Sequence, residues 1–149
     1  MTQPVMRVAE VAAAVAAMTV PGITILDLDE MKQAVTDRDC PLFGPSANDP
    51  SYLTDWDTVR ISMQGNRANN YNLNYTYFHA AVGSDRGLFK QWPEMMENVR
   101  KLAEAIAALP RVDGCKSIAL NEMPRFGLVN DASGNPFHGA VFQLYVMEF

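Results

Sequence analysis

The strongest constraint on the fold is in the C-terminal half, where long alternating stretches enclose one amphipathic helix. In residues 70–82, Tyr71, Leu73, Tyr75, Tyr77 and His79 fall on one side and Asn72, Asn74, Thr76, Phe78 and Ala80 on the other. A period of two in aromatic-rich sequence is the pattern of a strand. Gly83-Ser84-Asp85-Arg86-Gly87 then turns the chain. Over 92–109 the period changes: Trp92, Met95, Met96, Val99, Leu102, Ala103, Ile106 and Leu109 share one helical face. Glu94, Glu97, Lys101 and Glu104 face out, with Glu97 and Lys101 at favourable i,i+4 spacing. Pro93 suits the first turn, and Pro110 and Gly114 end the helix. Residues 115–120, 125–129 and 137–149 read as strands, with Asp131-Ala132-Ser133-Gly134-Asn135-Pro136 as the clearest turn. A strand running to Phe149 is read as leaving no tail or targeting signal.

The N-terminal half is less regular. Pro4 suits a helix start, and Val5, Val8, Val11, Ala12, Val15 and Met18 continue an apolar stripe up to Pro21-Gly22. Residues 23–26 form a short β-like run, and Asp29 is expected to cap a brief helical turn over 31–35. Cys40-Pro41-Leu42-Phe43 reads as extended, because the residue before proline is pushed out of the α region. Residues 44–54, rich in Pro, Ser, Asn and Asp, read as a surface loop. A strand over 55–64 and a turn over 65–70 lead into the long strand, which makes a hairpin.

With 149 residues, the chain is read as one domain, 1–149. Apolar residues make up 48%, enough to fill a core, whereas charged residues are 19%, leaving neutral surface for protein contact. The net charge of −5 argues against tight non-specific DNA binding, which needs a basic stripe. Cys40 and Cys115 stand far apart with no CxxC and read as two buried free thiols. The Ala-rich stretch 8–20 is interrupted by Glu10 and is too short to span a bilayer, so no membrane role is expected.

No GxSxG, HExxH or P-loop is present, and the chain is read as a non-enzyme with no cofactor and no metal. His79 and His138 sit singly in alternating strands, where packing is the ordinary role. Asp27-Leu28-Asp29-Glu30 after an apolar run resembles the opening of haloacid-dehalogenase-type phosphatases, but no threonine follows at the usual place and no series of βαβ units does. The nine methionines fall mostly on core faces. Phe43, Tyr52, Trp56 and Phe89, in or beside loops, are the aromatic candidates for protein contacts.

The order of elements resembles the small tail-terminator proteins of long-tailed bacteriophages, lambda type. Arg38-Asp39-Cys40-Pro41-Leu42-Phe43 carries the resemblance, with residues 74–82 leading into Gly83-Ser84-Asp85-Arg86-Gly87-Leu88-Phe89, then residues 131–139 and 141–149. It covers most of the chain and rests on element order and turn placement. It implies an α+β fold: a mostly antiparallel β-sheet with an N-terminal helix and a second long helix packed on one face. It implies a homohexameric ring that caps the tail tube, stops its polymerisation and joins the tail to the head. The partners implied are further copies of the chain, the major tail tube protein and a head-closure or neck protein, with DNA passing through the bore unbound. The location implied is the virion, after assembly in the host cytoplasm. The interface residues expected are Arg38, Asp39, Phe43, Asp85, Arg86, Leu88 and Phe89. The 44–54 loop is longer than the lambda-type pattern. The alternatives are a neck adaptor of the same virion, a small-molecule-binding or enzymatic α+β domain using His79 or His138, and a phosphatase using Asp27 and Asp29.

Overall fold

The computed structural model describes residues 6–47, 51–60, 67–83 and 92–149. In chain order they form α1 (Val8–Ala16), β1 (Thr24–Ile25), β2 (Leu42–Pro45), β3 (Leu53–Arg60), β4 (Arg67–Ala81), α2 (Trp92–Ala107), β5 (Cys115–Leu120), β6 (Arg125–Asn130) and β7 (Pro136–Glu148). The class is α+β: two helices on one large curled mixed sheet. β1 runs parallel to β2, and the other pairings are antiparallel.

β4 and β7 form the spine, paired from Asn70–Met147 to Ala81–Phe137 with one bulge between Phe78 and Ala80. The far side of β4 is shared end to end by β3, opposite Arg67 to Leu73, and β2, opposite Tyr75 to Phe78. The far side of β7 is shared likewise by β5 and β6. Both seams fall at one level, because Asn74 and Gln143 are register partners. This polar pair marks the waist of the sheet.

Alternation decides which side chains meet. Tyr71, Leu73, Tyr75 and Tyr77 of β4 lie with Phe142, Leu144 and Val146 of β7 on one face. α1 adds Val11 and Val15 to that face, and α2 adds Met95, Val99, Leu102 and Ile106. At ~1.5–3 kcal/mol per buried large apolar side chain, this cluster is the main source of stability. The polar link inside it is short: the Asn98 amide donates to Tyr77 Oη at 2.9 Å, and Tyr77 Oη lies 2.7 Å from His79 Nδ1. Glu148 is buried at the same layer. Its Oε2 accepts from the Arg7 N–H at the start of α1 (2.7 Å) and from the Tyr71 hydroxyl. The last strand thus holds the first helix. The opposite face carries a smaller core of Val35, Leu42, Phe78, Val129 and Phe137. Leu42 and Phe43, adjacent in β2, therefore enter different cores.

Several expectations shift. Asp27, not Asp29, is the cap: its carboxylate accepts from the Leu28 N–H (2.7 Å), Glu30 closes the box, and the turn is a 3-10 helix over Leu28–Glu30. The expected loop 44–54 is in part strand. Gly44 and Pro45 pair with Thr76 and Tyr75, and Leu53 and Thr54 begin β3, because the long edge of β4 offers partners that local composition does not reveal. Residues 67–69, read as turn, belong to β4. Glu97 bonds Arg100 rather than Lys101. The expected helix start at Pro4 and Val5 and the strand residues 61–64 lie outside the described residues.

Candidate assembly surface

The segment before β2 is built by carboxylates. Thr36 precedes a 3-10 turn, Asp37–Asp39, and Asp39 Oδ2 accepts from the Thr36 N–H (2.8 Å) and hydroxyl (3.0 Å). Asp39 Oδ1 accepts from Lys32 Nζ at 2.8 Å. The Lys32 ammonium, then the Thr36 N–H, hold the Asp39 carboxyl below its usual range. Asp37 Oδ1 accepts from the Ala81 N–H (3.0 Å), which pins the turn to the end of β4. Arg38, between these two acids, is exposed.

Of the seven residues expected at an interface, Arg38 and Asp39 are thus brought together on the surface, with Asp39 already engaged inside the chain. Phe43 requires correction. It is fully buried, stacked on Tyr75 with centroids 5.1 Å apart and edge-on to Phe142, so it is a core residue. The Pro41-Leu42-Phe43 strand inserts it there by alternation. Asp85, Arg86, Leu88 and Phe89 lie outside the described residues. Among the other aromatic candidates, Tyr52 is half-buried and its hydroxyl lies 2.9 Å from that of Tyr75. Burial pushes the Tyr52 hydroxyl up to about 12. Only Trp56 of that set is both described and exposed.

Of the exposed large apolar groups, Met31, Val82, Trp92 and Met96 lie on the loops and α2, and the rest lie at opposite margins of the sheet. On the β3 margin, Trp56 is 53% exposed between Asp55 and Asp57. On the β5/β6 margin, Met123 is 85%, Leu128 66% and Phe149 54% exposed. The Arg111 guanidinium lies over the Phe149 ring at 5.2 Å, and Lys116 is exposed nearby on β5. Among the described residues, β3, β5 and β6 each pair on one side only. These margins are open edges, to which another chain can add. One carries Asp55 and Asp57 beside an indole; the other carries Arg111, Lys116 and Arg125 together with Asp113 and Glu122, an aromatic ring and a thioether. The sequence nominated Trp56 but gave no reason to join Arg111 to Phe149, which are far apart in the chain.

The alternative chemistries find less. His79 is buried in the Tyr77–Asn98 link. His138 is half-buried on β7, opposite Leu128, and its Nδ1 is buried without a partner. The Asp27 carboxylate closes its own turn while Asp29 is exposed. Among the described residues, no three His, Cys, Asp or Glu side chains converge as metal ligands. Burial pushes the Cys115 thiol up to about 11, away from reactivity. At the waist, Thr54, Asp55, Asn74, Glu122, Arg125 and Gln143 line an open concavity of about 420 Å³. Its amides already bond one another: Asn121 donates to Gln143 (2.8 Å), Gln143 to Asn74 (3.4 Å), and Asn74 to Thr54 (3.0 Å). They tie the two seams of the sheet together. No helix among the described residues is long and apolar enough to cross a membrane. No protein-family model matches the chain, and no curated protein matches it in sequence.

Proposed function

We propose that this chain is a phage tail terminator: a ring-forming virion protein that caps the tail tube, stops its growth and joins the tail to the head. The element order supports the reading, as does a sheet whose pairings other than β1–β2 are antiparallel and whose helices share one core. The observation that carries it is the pair of unlike open edges on opposite sides of one sheet. A closed ring is made by heterologous contacts, in which one surface of each subunit meets a different surface of the next. A two-fold dimer would instead use a single self-complementary patch. The negative balance of −5 suits a bore through which DNA slides without capture.

The test mixes the purified chain with the major tail tube protein of the same phage. Tubes of limited length with a ring at one end, seen by negative-stain microscopy, are the expected result. Tubes that grow unchanged and carry no extra density would remove the proposal. A ring that binds the head-side connector and ignores the tube would move the chain to the neck.

A further inference from the structure

Trp56 is exposed, yet it is held more tightly than an ordinary surface side chain. Its indole Nε1–H donates to Asn69 Oδ1 at 2.9 Å, and Asn69 is buried, its own amide donating to Glu148. The strand bulges between Thr54 and Asp57, and Asp55 there has φ 54°, a left-handed conformation that side chains other than glycine seldom adopt. A second buried asparagine holds it: Asn72 Nδ2 donates to Asp55 Oδ2 at 2.7 Å. Two buried amides and one strained residue therefore fix an aromatic ring at a sheet edge. Bulges and charges are ordinary edge protection, which accounts for Asp55 and Asp57. Protection gives no role to the tryptophan. A rigid, preorganised aromatic flanked by charge is the form of an interface anchor.

The register identifies what it faces. Asp57 pairs with Asn70, Asn70 with Met147, and Met147 with Ser117, so Asp57 and Ser117 end one row across four strands. At that row's far end, exposed Lys116 adjoins Ser117. β3, β4, β7 and β5 alternate in direction. A second copy set alongside in the same orientation thus brings its β3 antiparallel to β5 of the first. Asp57 then falls level with Ser117, one residue from Lys116, and the Trp56 indole falls level with Ile118. The geometry points to a head-to-tail contact between copies of this chain, with Trp56 as the anchor and the Lys116–Ile118 edge of β5 as its seat. This contact rests on the ring reading above and specifies which edges make the ring.

The test is sedimentation equilibrium of the full chain, alone and with tail tube, for wild type, W56A, D57K, K116E and the D57K/K116E double variant, with circular dichroism to verify folding. W56A is expected to raise the dissociation constant at least tenfold. D57K and K116E should each weaken association, and the double variant should recover much of it. These exposed charge positions keep the test decisive if W56A misfolds. Variants that assemble like wild type would overturn this contact and leave the ring standing. A wild-type chain that stays monomeric both alone and with tube would overturn the contact and the ring together.

Discussion

Asp131 is the residue on which the smaller core depends. It is buried at the turn between β6 and β7, and its two carboxylate oxygens accept four hydrogen bonds. Oδ1 takes the Ser133 (3.0 Å) and Asn135 (2.8 Å) N–H groups; Oδ2 takes the Val35 N–H (2.9 Å) and the Asn135 amide (3.0 Å). Val35 is 96 residues away in sequence, so this carboxylate fastens the segment before β2 over Leu42, Phe78, Val129 and Phe137. Burial alone raises its pKa, but the donors from Val35, Asn135 and Ser133 outweigh that and hold the carboxyl below its usual value. A depressed folded pKa stabilises the fold fully above the unfolded value near 3.8, and the contribution is lost as pH falls through the folded value. Asp131→Asn keeps one acceptor oxygen but turns an amide toward the Val35 N–H, so it should cost on the order of 2–3 kcal/mol. Urea melts near neutral pH should register that loss, and the gap from wild type should narrow only in acid. A gap that persists unchanged through the acid range would exclude the carboxylate as its source.

Gly139 shows how one element depends on another. A Cβ there would lie 1.9 Å from the Tyr77 carbonyl oxygen and 3.0 Å from the Val129 side chain. The neighbouring bulge between Phe78 and Ala80 brings β4 this close to β7. Backbone cannot yield as a flexible side chain does, so Gly139→Ala should cost about 3 kcal/mol and loosen the upper spine. Hydrogen exchange should accelerate across residues 76–81 and 136–141 more than in α2. Uniform exchange with an unchanged melting midpoint would refute that local account. Elements set by their own sequence were legible beforehand: β5 spans the expected 115–120, and α2 starts at Trp92 as its apolar stripe does. Elements that exist because a neighbour supplies an edge were not. Gly44 and Pro45 look like loop residues until β4 lies beside them. Phe43 looked like surface for the same reason, since nothing local reveals that alternation sends it into the larger core. Trp56 was legible as an aromatic near a loop, but its bulge depends on Asn69 and Asn72, whose burial no local pattern gives away.

At the scale of the whole molecule, two electrostatic effects oppose each other in a ring of such subunits. Each copy carries a net −5, so copies repel at long range. At the proposed contact, Asp57 attracts Lys116 at short range. Screening separates the two, because the Debye length falls from about 30 Å at 0.01 M salt to about 8 Å at 0.15 M and about 3 Å at 1 M. In dilute salt the repulsion reaches across a subunit interface and should disfavour closure. Near physiological salt it is largely screened, while close pairs backed by an aromatic contact survive. In concentrated salt the close pairs weaken as well. Association should therefore peak at intermediate ionic strength, which light scattering across a salt series reads directly. A steady rise to 1 M would mean that the indole and the apolar side chains it meets carry the contact and the charge match adds nothing. A steady fall from the lowest salt would mean that local attraction exceeds net repulsion at every range. The D57K/K116E double variant keeps the net charge while exchanging the local signs, so it should reproduce the wild-type peak; a single D57K should shift toward the steady rise, having lost local attraction while reducing the overall repulsion.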